Sequence, residues 1–415
     1  MTFNYKNFLK TLGPGILFAS TAIGVSHLVQ STRAGADYGF ALVIFVILAN
    51  IFKYPFFEFG SRYANATNES LLFGYKRQGK WVLFMYFLIT LASMFTVVAA
   101  VSFVCSGLII ELLGIQIDIK IVVLLLFAFC VAILISGKYG VLDSLIKLLA
   151  ITLLISTISA FIIALLNGPA LKTDGFSPPI IWNESGVFFL IALMGWMPTA
   201  VDMSIWTSIW TIERIKQTRY KPTLEETLLD FNIGYVFTII LSLCFITLGA
   251  YFMYGTGEEL PNNSPAFAAK LVGLYTKSLG GWSYWLIAIV AFSVMLSTTI
   301  AVFDGYSRAI ESTFELLFDL KHSYIIYLIW LIIVAFGGYL IIWFFLDDFK
   351  LLIDLATSIS FLIAPLFAIM NYRVMNANNI SIEAKPPQWL NLLAILGIVF
   401  LCFFAILFLF RNWIF

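Results

Sequence analysis

Gly24-Val25-Ser26-His27 interrupts the first apolar stretch of the chain, Leu12 to Val29, at a depth where a membrane helix ordinarily carries apolar side chains. This order of residues suits a helix that breaks and restarts better than a continuous one. Lipid tolerates freed backbone groups only where protein or a water-filled cavity shelters them, and half-helix ends at that depth commonly hold ions or small polar substrates. Gly24, Ser26 and His27 are therefore read as half of a binding site.

The rest of the chain agrees with a membrane setting. It has 415 residues, 61% hydrophobic and 11% charged, with a mean hydropathy of +0.97. This composition belongs to an all-α membrane protein embedded in the bilayer. A net charge of +1 gives no footing for nucleic acid. Cys105, Cys130, Cys244 and Cys402 lie in apolar runs without metal or disulfide spacing and read as core. Lys6 and Lys10 precede the first apolar run, but Gly13-Pro14-Gly15 opens it and no small-residue cleavage site follows, which argues against a signal peptide.

Runs of sufficient length fall near 12–32, 38–59, 81–113, 119–136, 139–167, 186–210, 229–255, 280–312, 323–345, 349–372 and 388–412, which predicts eleven transmembrane helices. With the N-terminus inside, most basic residues, such as Lys76, Arg77, Lys80, Arg214, Lys216 and Arg219, gather on the cytoplasmic side. Arg33, Lys120, Lys172, Lys270, Lys277, Lys350 and Arg411 fall on the other. The positive-inside rule then puts the N-terminus in the cytoplasm and the C-terminus outside the inner (plasma) membrane. Ser264 to Leu279 reads as an amphipathic helix on the outer face, either a lid or a passive surface element.

A second break is expected at Met194-Gly195-Trp196-Met197-Pro198-Thr199-Ala200 in the sixth helix, where Pro198 cannot donate a backbone hydrogen bond and Gly195 weakens the same turn. One proline alone would read as a kink. Breaks five helices apart fit two inverted repeats meeting at a midplane site. The repeats are placed at residues 1–167 and 168–372, with 373–415 as an additional helix. Met197, Thr199 and Ala200 join the substrate site on this reading.

At these residues the chain resembles the NRAMP family of divalent-metal transporters, whose LeuT-type fold has inverted five-helix repeats with helices 1 and 6 broken. Leu12-Gly13-Pro14-Gly15 and Ala34-Gly35-Ala36-Asp37-Tyr38-Gly39-Phe40 resemble that family's first helix and the turn after it. Met197-Pro198 resembles its sixth-helix Met-Pro, and Tyr139-Gly140-Val141-Leu142-Asp143 is a weaker likeness. Where the family has the metal-ligating Asp-Pro-Gly-Asn, however, this chain has Gly24-Val25-Ser26-His27. The resemblance also implies a histidine at the position of Ser204, a small residue at that of Met194, and an acidic pair in helix three, where no ionisable acid or base occurs between Lys80 and Glu111. A thioether and an imidazole without an anionic oxygen do not offset dehydration of a dication.

An anion is the favoured substrate on this reading, because the N-terminal end of a half-helix carries about half a positive charge and free N–H groups. His27, Ser26 and Thr199 add donors, and bicarbonate fits their number; a divalent cation such as Mn²⁺, Fe²⁺ or Mg²⁺ is the alternative. Taken alone, His27 would read as a core histidine bonded to a backbone carbonyl. Anion entry into a cell that is negative inside needs coupling, at about 2.3 kcal/mol per charge per 100 mV. Ser297-Thr298-Thr299 resembles the superfamily's sodium site, and Asp202 is a second candidate for a cation or proton; ordinary helix packing is the competing reading of the hydroxyls.

The pairs Asp143/Lys147, Glu58/Arg62 and Asp304/Arg308 are spaced to close locally, with Asp304 and Arg308 as gate candidates. Lys53 is expected to snorkel to the interface, and Asp354 has no assigned partner. With two histidines, His27 and His322, no zinc or nucleophile motif assembles, so neither an enzyme nor a cofactor is expected. A non-transporting membrane sensor is the rival of another class.

Overall fold

The computed structural model describes residues 11–136, 139–321 and 323–414, the side chains of 139–150 and of Ser278 excepted. Asp143, Lys147 and His322 therefore lie outside the described side chains. The first helix is built in pieces: α1 (Pro14–Ala22), a wider π-helical turn over Ser26–Ser31, and α2 (Thr32–Tyr38). Then come α3 (Val43–Thr67), a short α4 (Leu71–Gln78), α5 (Lys80–Leu113), α6 (Ile119–Ser136) and α7 (Tyr139–Asn167). The sixth expected span is also split, into α8 (Glu184–Gly195) and α9 (Met203–Thr218). Beyond it lie α10 (Leu224–Phe252), α11 (Ser264–Leu279), α12 (Tyr284–Phe318), α13 (Tyr324–Phe344), α14 (Phe349–Met375), α15 (Gln388–Leu409) and a terminal turn, α16 (Arg411–Ile414).

Among the described residues, eight helices are long and apolar enough to cross a membrane. The other three expected spans fall on the two split helices and on α7. Burial sorts these helices into layers: 72% of the most apolar window of the segment containing α12 is inside the protein, against 33% for α6, 28% for α13 and 33% for α15. The last three turn apolar side chains to lipid. The split helices sit at the centre, among α3, α5, α10, α12 and α14.

Local chemistry fixes several helix ends that frame this centre. Pro14 occupies the first turn of α1, where its missing N–H costs nothing. Asn183 accepts a hydrogen bond from the Gly186 amide at the start of α8, and Thr223 and Glu226 form a reciprocal capping box at the start of α10. The α1 amides of Gly13 and Gly15 donate to the two carboxylate oxygens of Asp230 on α10, at 3.2 and 2.7 Å.

Helix α10 lies against both halves of the broken first helix at van der Waals limits. A Cβ on Gly15 would come within 2.0 Å of the Asp230 carbonyl oxygen, and one on Gly234 within 2.1 Å of the Gly15 carbonyl oxygen. Past the break the pattern repeats: a Cβ on Gly35 would meet the Ile246 carbonyl oxygen at 1.9 Å and one on Gly249 that of Thr32 at 2.2 Å. Only glycine permits backbones so close.

Two expectations are corrected, for α3 and for Lys53. Helix α3 runs to Thr67 and α4 follows it, because Glu58, Ser61, Arg62 and Asn65 are buried by protein rather than exposed at a membrane face. Helix α11 has the expected bounds, and its apolar residues Phe267, Leu271, Val272, Leu274 and Tyr275 are buried, packed on α5, α7 and α12. Ser264 Oγ donates to the Phe103 carbonyl, and Thr157 bonds the Tyr275 hydroxyl, fixing α11 against α5 and α7. Lys53 does not snorkel; it is fully buried in mid-helix, with partners given below.

Candidate functional site

The first break is narrow. After Ala22 the backbone leaves the helix at Ile23, and Gly24 accepts from the Leu28 amide to restart it. Gly24 leaves room for Thr298 of α12, whose methyl group a Cβ would meet at 2.9 Å. The exposed C-terminal end of α1 is covered by the next residues: Ser26 Oγ donates to the Ala22 carbonyl at 2.6 Å, and His27 Nδ1 lies 2.9 Å from the same oxygen. The other ring nitrogen, Nε2, lies 2.9 Å from the Thr238 carbonyl of α10. His27 thus bridges the break to a neighbouring helix, and its ring is turned away from the cavity described below.

The second break carries the same device with a residue from elsewhere in the chain. Lys53 of α3 donates from Nζ to the carbonyl oxygens of Met194 at 2.6 Å and Gly195 at 2.8 Å, with Thr199 at 3.4 Å. A helix C-terminus carries about half a negative charge on such carbonyls, and an ammonium neutralises it. At the opposite lip Asp202 occupies the N-cap position of α9, where a carboxylate opposes the positive end of that helix. The field expected to attract an anion at α9 is therefore partly cancelled by the chain itself.

Between the two breaks is a cavity of about 30 Å³, with room for about two water molecules. Its polar wall is made by Thr21, Ser26, Thr199, Asp202, Thr298 and Tyr306, with the indole of Trp206 beside them; Ala22, Ala200, Met203, Val97 and Val101 are among its apolar wall. The Tyr306 hydroxyl donates to Asp202 at 3.1 Å. Trp206 stands edge-on to the Tyr306 ring, centroids 4.8 Å apart, and Gly305 makes space for its indole. The buried Trp206 Nε1–H has no protein acceptor. A buried donor of that kind costs stability unless something binds it.

Of the residues predicted for the substrate site, Ser26, Thr199 and Ala200 line the cavity, whereas His27, Gly24 and Met197 do not. The Met197 sulfur instead accepts from Ser31 Oγ at 3.9 Å, and the Thr199 hydroxyl points to the Met203 sulfur at 3.3 Å. Among the hydroxyl trio, Ser297 bonds Ser20 at 3.1 Å and Thr298 donates to the Ser20 carbonyl at 3.2 Å. Thr299 donates within its own helix to Met295. Asp304 and Arg308 pair at 2.8 Å and take in Tyr327 of α13, so they join α12 to α13 and do not reach the cavity. Glu58 and Arg62 likewise pair along α3. Among the described residues no cluster of three or more His, Cys, Asp or Glu side chains could hold a metal ion.

Sequence reading missed Lys53, Trp206 and Tyr306, and a buried ion pair beyond the first break. There Arg33 of α2 bonds Asp354 of α14 through both terminal nitrogens, at 2.7 and 2.9 Å, and Gln30 donates to the same carboxylate at 2.9 Å. The only sequence signal was Asp354, a charge left without an assigned partner. At the start of α1, Asp230 holds the Gly13 and Gly15 amides.

The family model described as natural resistance-associated macrophage protein-like (Nramp) matches residues 15–411. An uncharacterized protein of Pasteurella multocida (strain Pm70) is 37% identical over 403 residues, covering 96% of this chain and 91% of that one. The chain is similar in structure to a manganese transporter of Eremococcus coleocola in complex with an aromatic bis-isothiourea substituted compound, with TM-score 0.73 and 12% identity over 99% of this chain and 89% of that chain. It is also similar to Mhp1, a nucleobase-cation-symport-1 family transporter in a closed conformation, with TM-score 0.59 and 15% identity over 99% and 96%.

Proposed function

This chain belongs to the Nramp family of membrane transporters, and from that premise we propose that it is a secondary active transporter moving a small inorganic anion, bicarbonate being the first candidate, by alternating access between the two helix breaks. The protein is an integral multi-pass membrane protein and not an enzyme. The proposed arrangement has eleven spans in two inverted repeats, 1–167 and 168–372, with 373–415 added, and an N-terminus in the cytoplasm and a C-terminus outside.

The observation that carries the anion reading is the filling of both carbonyl ends. Ser26, with His27 beside it, covers the end of α1 and Lys53 that of α8, so the carbonyl oxygens of Ala22, Met194 and Gly195 already have partners. Among the residues that line the cavity, Trp206 carries a buried N–H donor without a protein partner. The Thr199 and Tyr306 hydroxyls lie on the same wall and donate to Met203 and Asp202. Asp202 would repel an anion while ionised, so it takes up a proton as the anion enters, which couples uptake to the proton gradient. Sodium at Ser297 and Thr298 is the other coupling route, supported by their contact with the Ser20 carbonyl.

Divalent metal transport is the second reading. The structural likeness to a manganese transporter favours it, as does the small cavity, which a bare cation enters without displacing side chains. An anion the size of bicarbonate requires Met203 or Trp206 to give way. Flux into proteoliposomes of Mn²⁺, Mg²⁺ and bicarbonate, each with and without Na⁺ and with an imposed pH gradient, separates the readings. Bicarbonate uptake that follows the proton gradient is expected. Saturable Mn²⁺ uptake without bicarbonate uptake would overturn the anion assignment, and no flux of any of them would favour a sensor.

A further inference from the structure

Lys53 occupies a seat whose geometry is that of a cation site. Three carbonyl oxygens of one break, from Met194, Gly195 and Thr199, converge on a single Nζ at 2.6, 2.8 and 3.4 Å, and the Phe361 ring closes another side at 5.9 Å from its centroid. The side chain is 0% exposed. An ammonium has three N–H donors, and here three carbonyl oxygens at the helix break lie within its reach, the Met194 oxygen accepting from backbone amides as well. Two of these oxygens belong to the last turn of α8, where the aligned peptide dipoles concentrate negative charge. The third lies across the break, so the ammonium also ties the end of α8 to the strand of chain leading into α9.

We propose that Lys53 is a built-in monovalent cation: its ammonium fills a carbonyl seat that, without it, binds a free monovalent cation such as ammonium or potassium. The seat holds the two lips of the sixth-helix break at a fixed spacing, with the Asp202 carboxylate on the same segment as counter-charge. The inference concerns binding at the break and does not depend on which ion is carried.

The test uses thermal unfolding of the purified full-length protein, wild type, Lys53→Ala and Lys53→Met, in choline chloride and in the chlorides of sodium, potassium, ammonium and methylammonium at equal ionic strength. Lys53→Ala is expected to unfold earlier than wild type in choline and to gain a saturable rise of at least about 2 °C with a small monovalent cation, through preferential binding to the folded state. Wild type should show no such specific shift. Lys53→Met, whose side chain fills the path to the seat without a charge, should gain less than Lys53→Ala. Absence of a cation-specific shift in Lys53→Ala, or an equal shift in wild type, would overturn the proposal. If Lys53→Ala yields no folded protein in choline, purification in ammonium chloride must recover it; failure there also overturns the proposal.

Discussion

Arg33 and Asp354, 321 residues apart in sequence, form a two-pronged ion pair that joins the second half of the broken first helix to α14. Both side chains are more than nine-tenths buried, and Gln30 braces the carboxylate from below. Removing one partner strands the other charge, at a cost of about 3–5 kcal/mol. Arg33→Ala and Asp354→Asn should each lower the unfolding temperature sharply and abolish uptake. The double variant should be much less destabilised than the sum of the two, and a strictly additive result would mean that the pair is not coupled.

Trp206→Phe separates a binding role from a packing role. The indole N–H has no protein acceptor, so its removal should leave the unfolding temperature nearly unchanged while raising the substrate concentration for half-maximal uptake about tenfold, the worth of a hydrogen bond to a charged group. Thr199→Val, on the same cavity wall, should behave similarly. His27→Ala should show the opposite balance, with clear destabilisation, because His27 bridges the Ala22 and Thr238 carbonyls outside the cavity wall. Unchanged uptake in both Trp206→Phe and Thr199→Val would sink the cavity as the substrate site.

Glycine-to-alanine substitutions should divide cleanly by location. Gly35→Ala and Gly249→Ala press a Cβ against carbonyl oxygens of the neighbouring helix, at 1.9 and 2.2 Å, and should cost about 1–3 kcal/mol or more. Gly273, inside α11, has nothing within 4 Å of its Cβ direction. Gly273→Ala should therefore stabilise by about 0.5–1 kcal/mol, through helix propensity alone. Chemical unfolding of the three variants measures the difference.

On the loop side of α12, Lys76 and Lys80 bond the two oxygens of Asp319, at 2.5 and 2.8 Å, and hold its carboxyl down to about 2 from the usual 3.8. A carboxyl lowered on folding adds stability above its ordinary value, which is lost as the pH falls from about 4 through 2. The gap in unfolding temperature between wild type and Asp319→Asn should be small, present at pH 7, reduced by salt, and closing over that acid range. A gap that persists at pH 2 would show that the ion pairs are not its source.

The breaks were legible because glycine and proline act on their own turn: Gly24 and Pro198 mark the interruptions whatever surrounds them. The long apolar helices were legible for the same reason, since lipid imposes length and composition locally. The buried charges were not. Lys53 finds its acceptors more than 140 residues away, and hydropathy ended α3 too early because the polar residues after Lys53 are covered by protein. Asp354 stayed unexplained until folding brought α2 to α14. His27 was visible as a polar residue in the break, but no pattern along the chain says which way its ring turns.

The paired glycines of α10 have a kinematic consequence. Because Gly234 fits against α1 and Gly249 against α2, with His27 pinned to Thr238 between them, neither half of the first helix can swing without dragging α10 along as one lever. The pivots for that lever must then lie in the chain at its two ends. Arg219, with φ 51°, stands before α10, and Gly255 and Gly257, with φ 78° and 76°, stand after it. An obstruction at either pivot, far from the cavity, would stall the cycle as surely as one inside it.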